Sequence, residues 1–139
     1  QLIDVRPDSI YFGKAHNEKG NAFGTIKSAL HIPSDEVKEN ILGVDGKLIN
    51  EFSAVSEEVA NAMADAVRQK FGTTWGIATT GIAGPGDYQG IPEGTVWVAI
   101  RGPINQTIQL QLEGGREAIR TGAISSAIGT FARILRHRT

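Results

Sequence analysis

The sequence contains no cysteine among its 139 residues. This absence excludes disulfide scaffolds, zinc ribbons, thiol nucleophiles and iron–sulfur sites, because each of them requires a cysteine sulfur. There are three histidines, His16, His31 and His137, and so small a number rarely forms a metal site alone. We therefore expect no metal ion, and the composition favours a cytoplasmic location.

An excess of either charge is also lacking, since 14 Lys and Arg oppose 15 Asp and Glu for a formal net charge of −1. A chain this close to neutrality has no field to attract a polyanion, so we do not expect nucleic acid as a partner. No apolar run approaches the ~20 residues of a membrane span, so we expect no membrane partner either. The length predicts a single domain over residues 1–139, and it leaves self-association to form a homo-oligomer open.

Three segments have the apolar spacing of helices. The clearest covers residues 56–71, where Ser56 can cap the first turn and Gly72 follows as a stop signal. A shorter helix is predicted from Ser34 to a stop at Gly43, and a long one from Arg116 to the basic C-terminal end. The side chains expected in the core are Val59, Met63, Ala66, Val67 and Phe71 in the first helix, Ile124, Ile128, Phe131 and Leu135 in the last, and Ile77, Val96 and Val98 in the predicted strands.

Five segments have the composition of strands. They cover residues 2–5, 24–32, 75–80, 94–101 and 107–112. The last of these alternates apolar and polar side chains, which is typical of an antiparallel strand with one wet face. Strands and helices alternate with short connections, so the predicted fold is α/β, with three α/β/α layers around a mixed sheet of about five strands.

Residues 79–86, TTGIAGPG, are the most informative segment. They end a predicted strand and turn through glycines spaced G-x-x-G-x-G, which lets backbone N–H groups converge on an anionic or carbonyl oxygen. The spacing is neither that of a P-loop nor that of a dinucleotide-binding motif. A tight connection without a ligand is an equally reasonable interpretation of the glycines alone.

Several blocks together resemble the CinA C-terminal domain, the nicotinamide-nucleotide amidohydrolase family. The central blocks are FSAVSEEVA at 52–60, ATTGIAGP at 78–85 and PEGTVW at 92–97. Two flanking blocks, SDEVKENILGV at 34–44 and GGREAIR at 114–120, look like the family's YSNxxK…LGV and GDRxxVR patterns. The resemblance covers roughly residues 30 to 135 and leaves residues 1–30 divergent.

The resemblance implies a three-layer fold around a mixed five-stranded sheet. It also implies hydrolysis of nicotinamide mononucleotide to nicotinate mononucleotide and ammonia, without a metal or a redox cofactor. Carried over by position, Lys38 becomes the candidate base of a site for a small pyridine nucleotide. The candidate ligand-binding residues are Thr80, Gly81, Ala83, Gly84, Thr95 and Arg116.

The sequence departs from the family pattern at several site positions. The AESCTGG block, which carries the serine nucleophile in family members with the amidase, is absent. Pro33 replaces the tyrosine of YSN and Asp35 its asparagine, while Ile91 and Glu93 replace the lysine and valine of KPVGTVW. The predicted pocket therefore loses hydroxyl groups and a cation, and it gains an anion.

Three hypotheses follow from these matches and departures. The one we favour is a CinA-type domain that keeps its nucleotide pocket but has impaired or lost amidase activity, because covalent catalysis needs an attacking oxygen. The second is an active amidase with an unusual nucleophile, for which Ser9 and Ser34 are the candidates. The third is an interaction module without catalysis. Structural roles also stay open for Lys38, as a solvated helix side chain, and for Arg116, as a partner of Glu113.

Overall fold

The computed structural model describes residues 42–137 of the chain. In chain order this part contains α1 (Gly46–Phe52), α2 (Glu57–Phe71), β1 (Gly76–Gly81), β2 (Thr95–Arg101), β3 (Gln106–Gln111) and α3 (Arg116–Arg136). The predicted strands at 2–5 and 24–32, and the helix predicted from Ser34, fall on residues outside this range. Among the helices of residues 42–137, none combines the length and apolarity that crossing a membrane requires.

The described sheet has three strands in the order β1-β2-β3, and both pairings are antiparallel. Thr79 pairs with Val98, and Val98 pairs in turn with Ile108. This confirms an α/β fold, whereas the five strands and the mixed pairing that we expected do not occur within residues 42–137. The observed pairing follows from the connections, because parallel strands need a crossover, usually a helix, and no helix lies between β1 and β2 or between β2 and β3.

Helix α2 begins and ends where its capping residues predict. The Ser56 hydroxyl accepts a hydrogen bond from the Val59 N–H at 3.2 Å, and Glu57 and Glu58 occupy the positive end of the helix dipole. Gly72 ends the helix in the left-handed conformation, with φ 61°. Helix α1 was not predicted, although Asp45 gives it an N-cap by accepting the Lys47 N–H at 2.9 Å.

The packing face of α2 differs from the predicted stripe. Val59 is buried as expected, but Ala60 and Ala64 are the other buried residues, and Phe71 is 41% exposed. The reason is a close approach of the helix to β1, because a Cβ on Gly76 would overlap the Ala64 carbonyl oxygen. Small residues permit this approach, whereas a larger side chain would hold the helix away from the sheet.

The packing face of α3 differs in the same way. The predicted core residues Ile124, Ile128 and Leu135 are exposed, by 56%, 63% and 42% respectively. Phe131 is half-buried, with its ring edge-on to that of Trp75 at 5.3 Å. The buried residues of this helix are Ile119, Ala127, Thr130 and Ile134, which lie on a neighbouring stripe.

The sheet carries one apolar cluster on each face. Val98 and Ala99 are adjacent in β2, so their side chains point to opposite faces. Ala99 joins the cluster with α2, and Val98 joins the cluster with α3. Nearly continuous burial along β2 results, as the apolar run at 95–100 predicts. In β1 the predicted core residue Ile77 is instead 39% exposed.

Candidate functional site

The glycine-rich segment forms a loop, residues 82–94, between β1 and β2. The base of the loop is closed by two backbone hydrogen bonds, from the Ile82 N–H to the Thr95 carbonyl at 2.9 Å and from the Gly94 N–H to the Ile82 carbonyl at 2.8 Å. The predicted strand, loop and strand are therefore a hairpin whose pairing continues past the ends of β1 and β2.

The tip of the loop is a tight reverse turn. Tyr88 and Ile91 exchange backbone hydrogen bonds of 3.0 and 2.9 Å, and the two residues between them, Gln89 and Gly90, have φ 50° and 76°. Two positive φ values in sequence are typical of the type I′ turns that close hairpins. The Gln89 side-chain oxygen also accepts a hydrogen bond from the Ser53 hydroxyl at 3.1 Å, which ties the tip to the connection between α1 and α2.

Glu93 crosses the interior of the loop. Its carboxylate accepts the Gly86 N–H at 2.6 Å, and its own N–H donates to the Asp87 carboxylate at 2.8 Å. The same carboxylate lies against Gly84, where an added Cβ would overlap it. Gly84 has φ 77°, and its peptide bond to Pro85 is cis. The loop that was predicted to accept a ligand anion therefore already has the Glu93 carboxylate packed against its backbone.

Arg116 connects the loop to the start of α3. Its guanidinium donates a hydrogen bond to the Gly84 carbonyl at 2.9 Å, across 32 residues of sequence. The alternative role, an ion pair with Glu113, does not occur among residues 42–137, and neither does an ion pair with Glu93. Gly84 and Arg116, predicted for one site from separate sequence blocks, are in direct contact.

The two predicted binding threonines make internal hydrogen bonds. The buried Thr80 hydroxyl donates to the Ala54 carbonyl at 2.7 Å, and the buried Thr95 hydroxyl donates to the Gln111 side-chain oxygen at 3.1 Å. A hydroxyl has one hydrogen to donate, so toward a ligand these oxygens can act only as acceptors. Both threonines hold the neighbouring segments in place at the base of the loop.

Gly81 and Ala83 are also explained by packing within the fold. A Cβ on Gly81 would come within 2.7 Å of the Val96 side chain, so the glycine fits the packing of adjacent strands. Ala83 packs against the apolar cluster that contains Val96 and Val98. Of the predicted ligand-binding residues, Gly84 in the loop and Arg116 at the start of α3 are therefore the two that neither pack in the core nor hold its segments together.

The remaining candidate residues, Ser9, Ser34 and Lys38, lie outside the described residues. Residues 42–137 contain no group of three or more His, Cys, Asp or Glu side chains placed to hold a metal ion.

The charged side chains that contact the loop within residues 42–137 are the carboxylates of Asp87 and Glu93 and the guanidinium of Arg116. Glu93 is recognisable in the sequence as a departure from the family pattern, whereas the contacts of Asp87, Gln89 and Ser53 were not predicted.

Comparison with known proteins identifies relatives across most of the chain. Residues 25–135 match the family model of the CinA C-terminal domain. A CinA-like protein of Frankia casuarinae is 44% identical over 101 residues, which are 72% of this chain and 23% of that protein. A CinA-like protein of Leptospira biflexa is 38% identical over 120 residues, 84% of this chain and 28% of the relative. The chain thus spans only about a quarter of the length of these curated relatives.

Solved structures of similar sequence have the same fold. The competence damage-inducible protein A (ComA) of Klebsiella pneumoniae superimposes with a TM-score of 0.74 at 30% identity, covering 80% of this chain and 70% of that one. The competence or damage-inducible protein of Enterobacter asburiae gives a TM-score of 0.72 at 29% identity, covering 77% and 69%. With the family model matching residues 25–135, the chain belongs to the CinA C-terminal domain family.

Proposed function

We propose that the chain is a nicotinamide mononucleotide amidohydrolase homologue that binds a small pyridine nucleotide in the cytoplasm and has impaired or lost amidase activity. Family membership supports the ligand class, and the missing AESCTGG block supports the reduced chemistry. The five-stranded mixed sheet and the three layers that the resemblance implies are part of the same proposal.

The observation that carries the proposal is the hydrogen bond from Arg116 to the Gly84 carbonyl. It joins the glycine loop to the start of α3, where a backbone-lined surface and a guanidinium meet. A guanidinium has five N–H donors, and within residues 42–137 Arg116 uses one of them, so others can reach a phosphate or carboxamide oxygen. The Thr80 and Thr95 hydroxyls, at the base of the loop, donate to the Ala54 carbonyl and to the Gln111 side-chain oxygen, and these bonds fit structural roles better than the role of an attacking hydroxyl.

Calorimetric titration with nicotinamide mononucleotide, run beside an ammonia-release assay, tests the proposal directly. We expect saturable binding with ammonia release that is undetectable or severely reduced. Arg116→Ala should weaken binding by roughly tenfold, because it removes a charge-assisted donor and the tie to Gly84. Arg120→Ala is the matched control, since Arg120 lies one turn further along α3 and pairs with Glu117 instead. Equal affinity in parent and Arg116→Ala would remove Arg116 from the site.

The hypothesis of an active amidase predicts a different result. If Ser9 supplies the attacking oxygen, the parent should release ammonia readily and Ser9→Ala should abolish the release, as expected for removal of a nucleophile. Robust release that persists in Ser9→Ala would point to Ser34 or to an activated water. Absence of both binding and release would favour the third hypothesis, an interaction module, over either form of the amidohydrolase homologue.

A further inference from the structure

The glycine loop holds a carboxylate that belongs to the chain itself. The Glu93 carboxylate accepts a hydrogen bond from the Gly86 N–H at 2.6 Å. The carboxylate also lies over Gly84, the residue whose carbonyl Arg116 contacts. The position where a glycine loop offers its N–H to a ligand anion is therefore already taken.

The backbone of Glu93 is held on both sides. Its N–H donates to the Asp87 carboxylate at 2.8 Å, and its carbonyl accepts from the Gln111 side-chain amide at 2.8 Å. Glu93 also precedes Gly94, which is hydrogen-bonded to both neighbouring segments, Ile82 and Leu112. With the backbone fixed at this point, the side chain is aimed into the loop, and Asp87 adds a second negative charge beside it.

We propose that Glu93 determines how strongly the site distinguishes a phosphorylated pyridine nucleoside from the same nucleoside without phosphate. The inference rests on the proposed function and names the specificity of that site. A phosphate that approaches the Gly86 N–H must displace the Glu93 carboxylate and meets like charge on Glu93 and Asp87. A nucleoside without phosphate encounters neither cost, so the parent chain has lost most of the preference for phosphate.

Two substitutions at Glu93 separate the effect of its negative charge from the effect of its side chain occupying the Gly86 N–H. Glu93→Gln removes the charge and keeps a neutral acceptor of the same shape, whereas Glu93→Val removes both and restores the residue of the family pattern. Glu58→Gln removes one charge from an exposed position in the first turn of α2, outside residues 82–94, and serves as the control. Each protein is titrated calorimetrically with nicotinamide mononucleotide and with nicotinamide riboside.

We expect the parent and Glu58→Gln to bind the two compounds with similar affinity. Glu93→Val should bind the mononucleotide at least about tenfold more tightly than the parent, with little change for the riboside. The affinity of Glu93→Gln for the mononucleotide should lie between those of the parent and Glu93→Val. An independent readout is the Gly86 amide resonance during titration with inorganic phosphate. It should shift at lower phosphate concentration in Glu93→Val than in the parent.

Two contrary outcomes are distinguishable. A parent that already prefers the mononucleotide tenfold or more, with a preference unchanged in Glu93→Val, would overturn the role of Glu93 and leave the proposed function standing. Failure of every variant to bind either compound would overturn the proposed function and the inference on specificity with it. In that case the phosphate titration still separates two results. A shift of the Gly86 amide resonance in Glu93→Val alone would show that the loop binds an anion but not a nucleotide. The same shift in the parent would exclude competition between phosphate and the Glu93 carboxylate.

Discussion

Replacing Ile119 by alanine is expected to lower the free energy of unfolding by about 2–5 kcal/mol. Ile119 is 1% exposed and packs with Val96 and Val98 in the apolar cluster between α3 and the sheet. Truncation to alanine removes three buried carbons and leaves a cavity that a close-packed interior fills only in part. Urea unfolding at equilibrium, followed by circular dichroism, measures the loss.

Ile128→Ala is the matched control because it makes the same chemical change on the same helix. Its side chain is 63% exposed, so we expect a loss of less than about 0.5 kcal/mol. The pair of variants tests which stripe of α3 packs on the sheet, since the apolar spacing of the sequence alone predicts the opposite order. A larger loss in Ile128→Ala than in Ile119→Ala would show that α3 is rotated about its axis relative to the described packing.

The limits of α2 could be predicted from the sequence because local residues set them. Ser56 and Gly72 bound α2 through hydrogen bonds and a left-handed φ that need no distant partner. The packing faces of the helices could not be predicted in this way. They depend on how closely a helix approaches the sheet, and at Gly76 that distance is set by two small residues from different elements.

The geometry of the loop could be predicted in part. Glycine spacing located the loop, and Gly84 and Arg116, which the family blocks assign to one ligand site, are joined by a hydrogen bond. The individual roles could not be derived from the sequence, because Thr80 and Thr95 have partners 26 and 16 residues away. The position of the Glu93 carboxylate depends likewise on a loop geometry that only the folded hairpin defines.

Gly94→Ala is expected to destabilise the protein more than any other single methyl addition in the loop. Gly94 has φ 86°, which alone costs an alanine about 1–2 kcal/mol, and the added Cβ would also overlap the Leu112 carbonyl oxygen. That carbonyl belongs to the backbone and cannot rotate away as a side chain could. We expect a total loss of at least about 3 kcal/mol, measured by urea unfolding, or by soluble yield and thermal midpoint where the variant is too unstable.

Gly90→Ala separates the two contributions to that loss. Gly90 has φ 76°, but no atom lies within 4 Å of the position that an added Cβ would occupy, so only the backbone cost of about 1–2 kcal/mol applies. Equal losses in the two variants would mean that the Leu112 carbonyl does not approach Gly94 as described. A clearly larger loss in Gly94→Ala would show that close contact with Leu112, the residue after β3, fixes the base of the loop. Because Glu93 is the preceding residue, the same contact also fixes where its carboxylate enters the site.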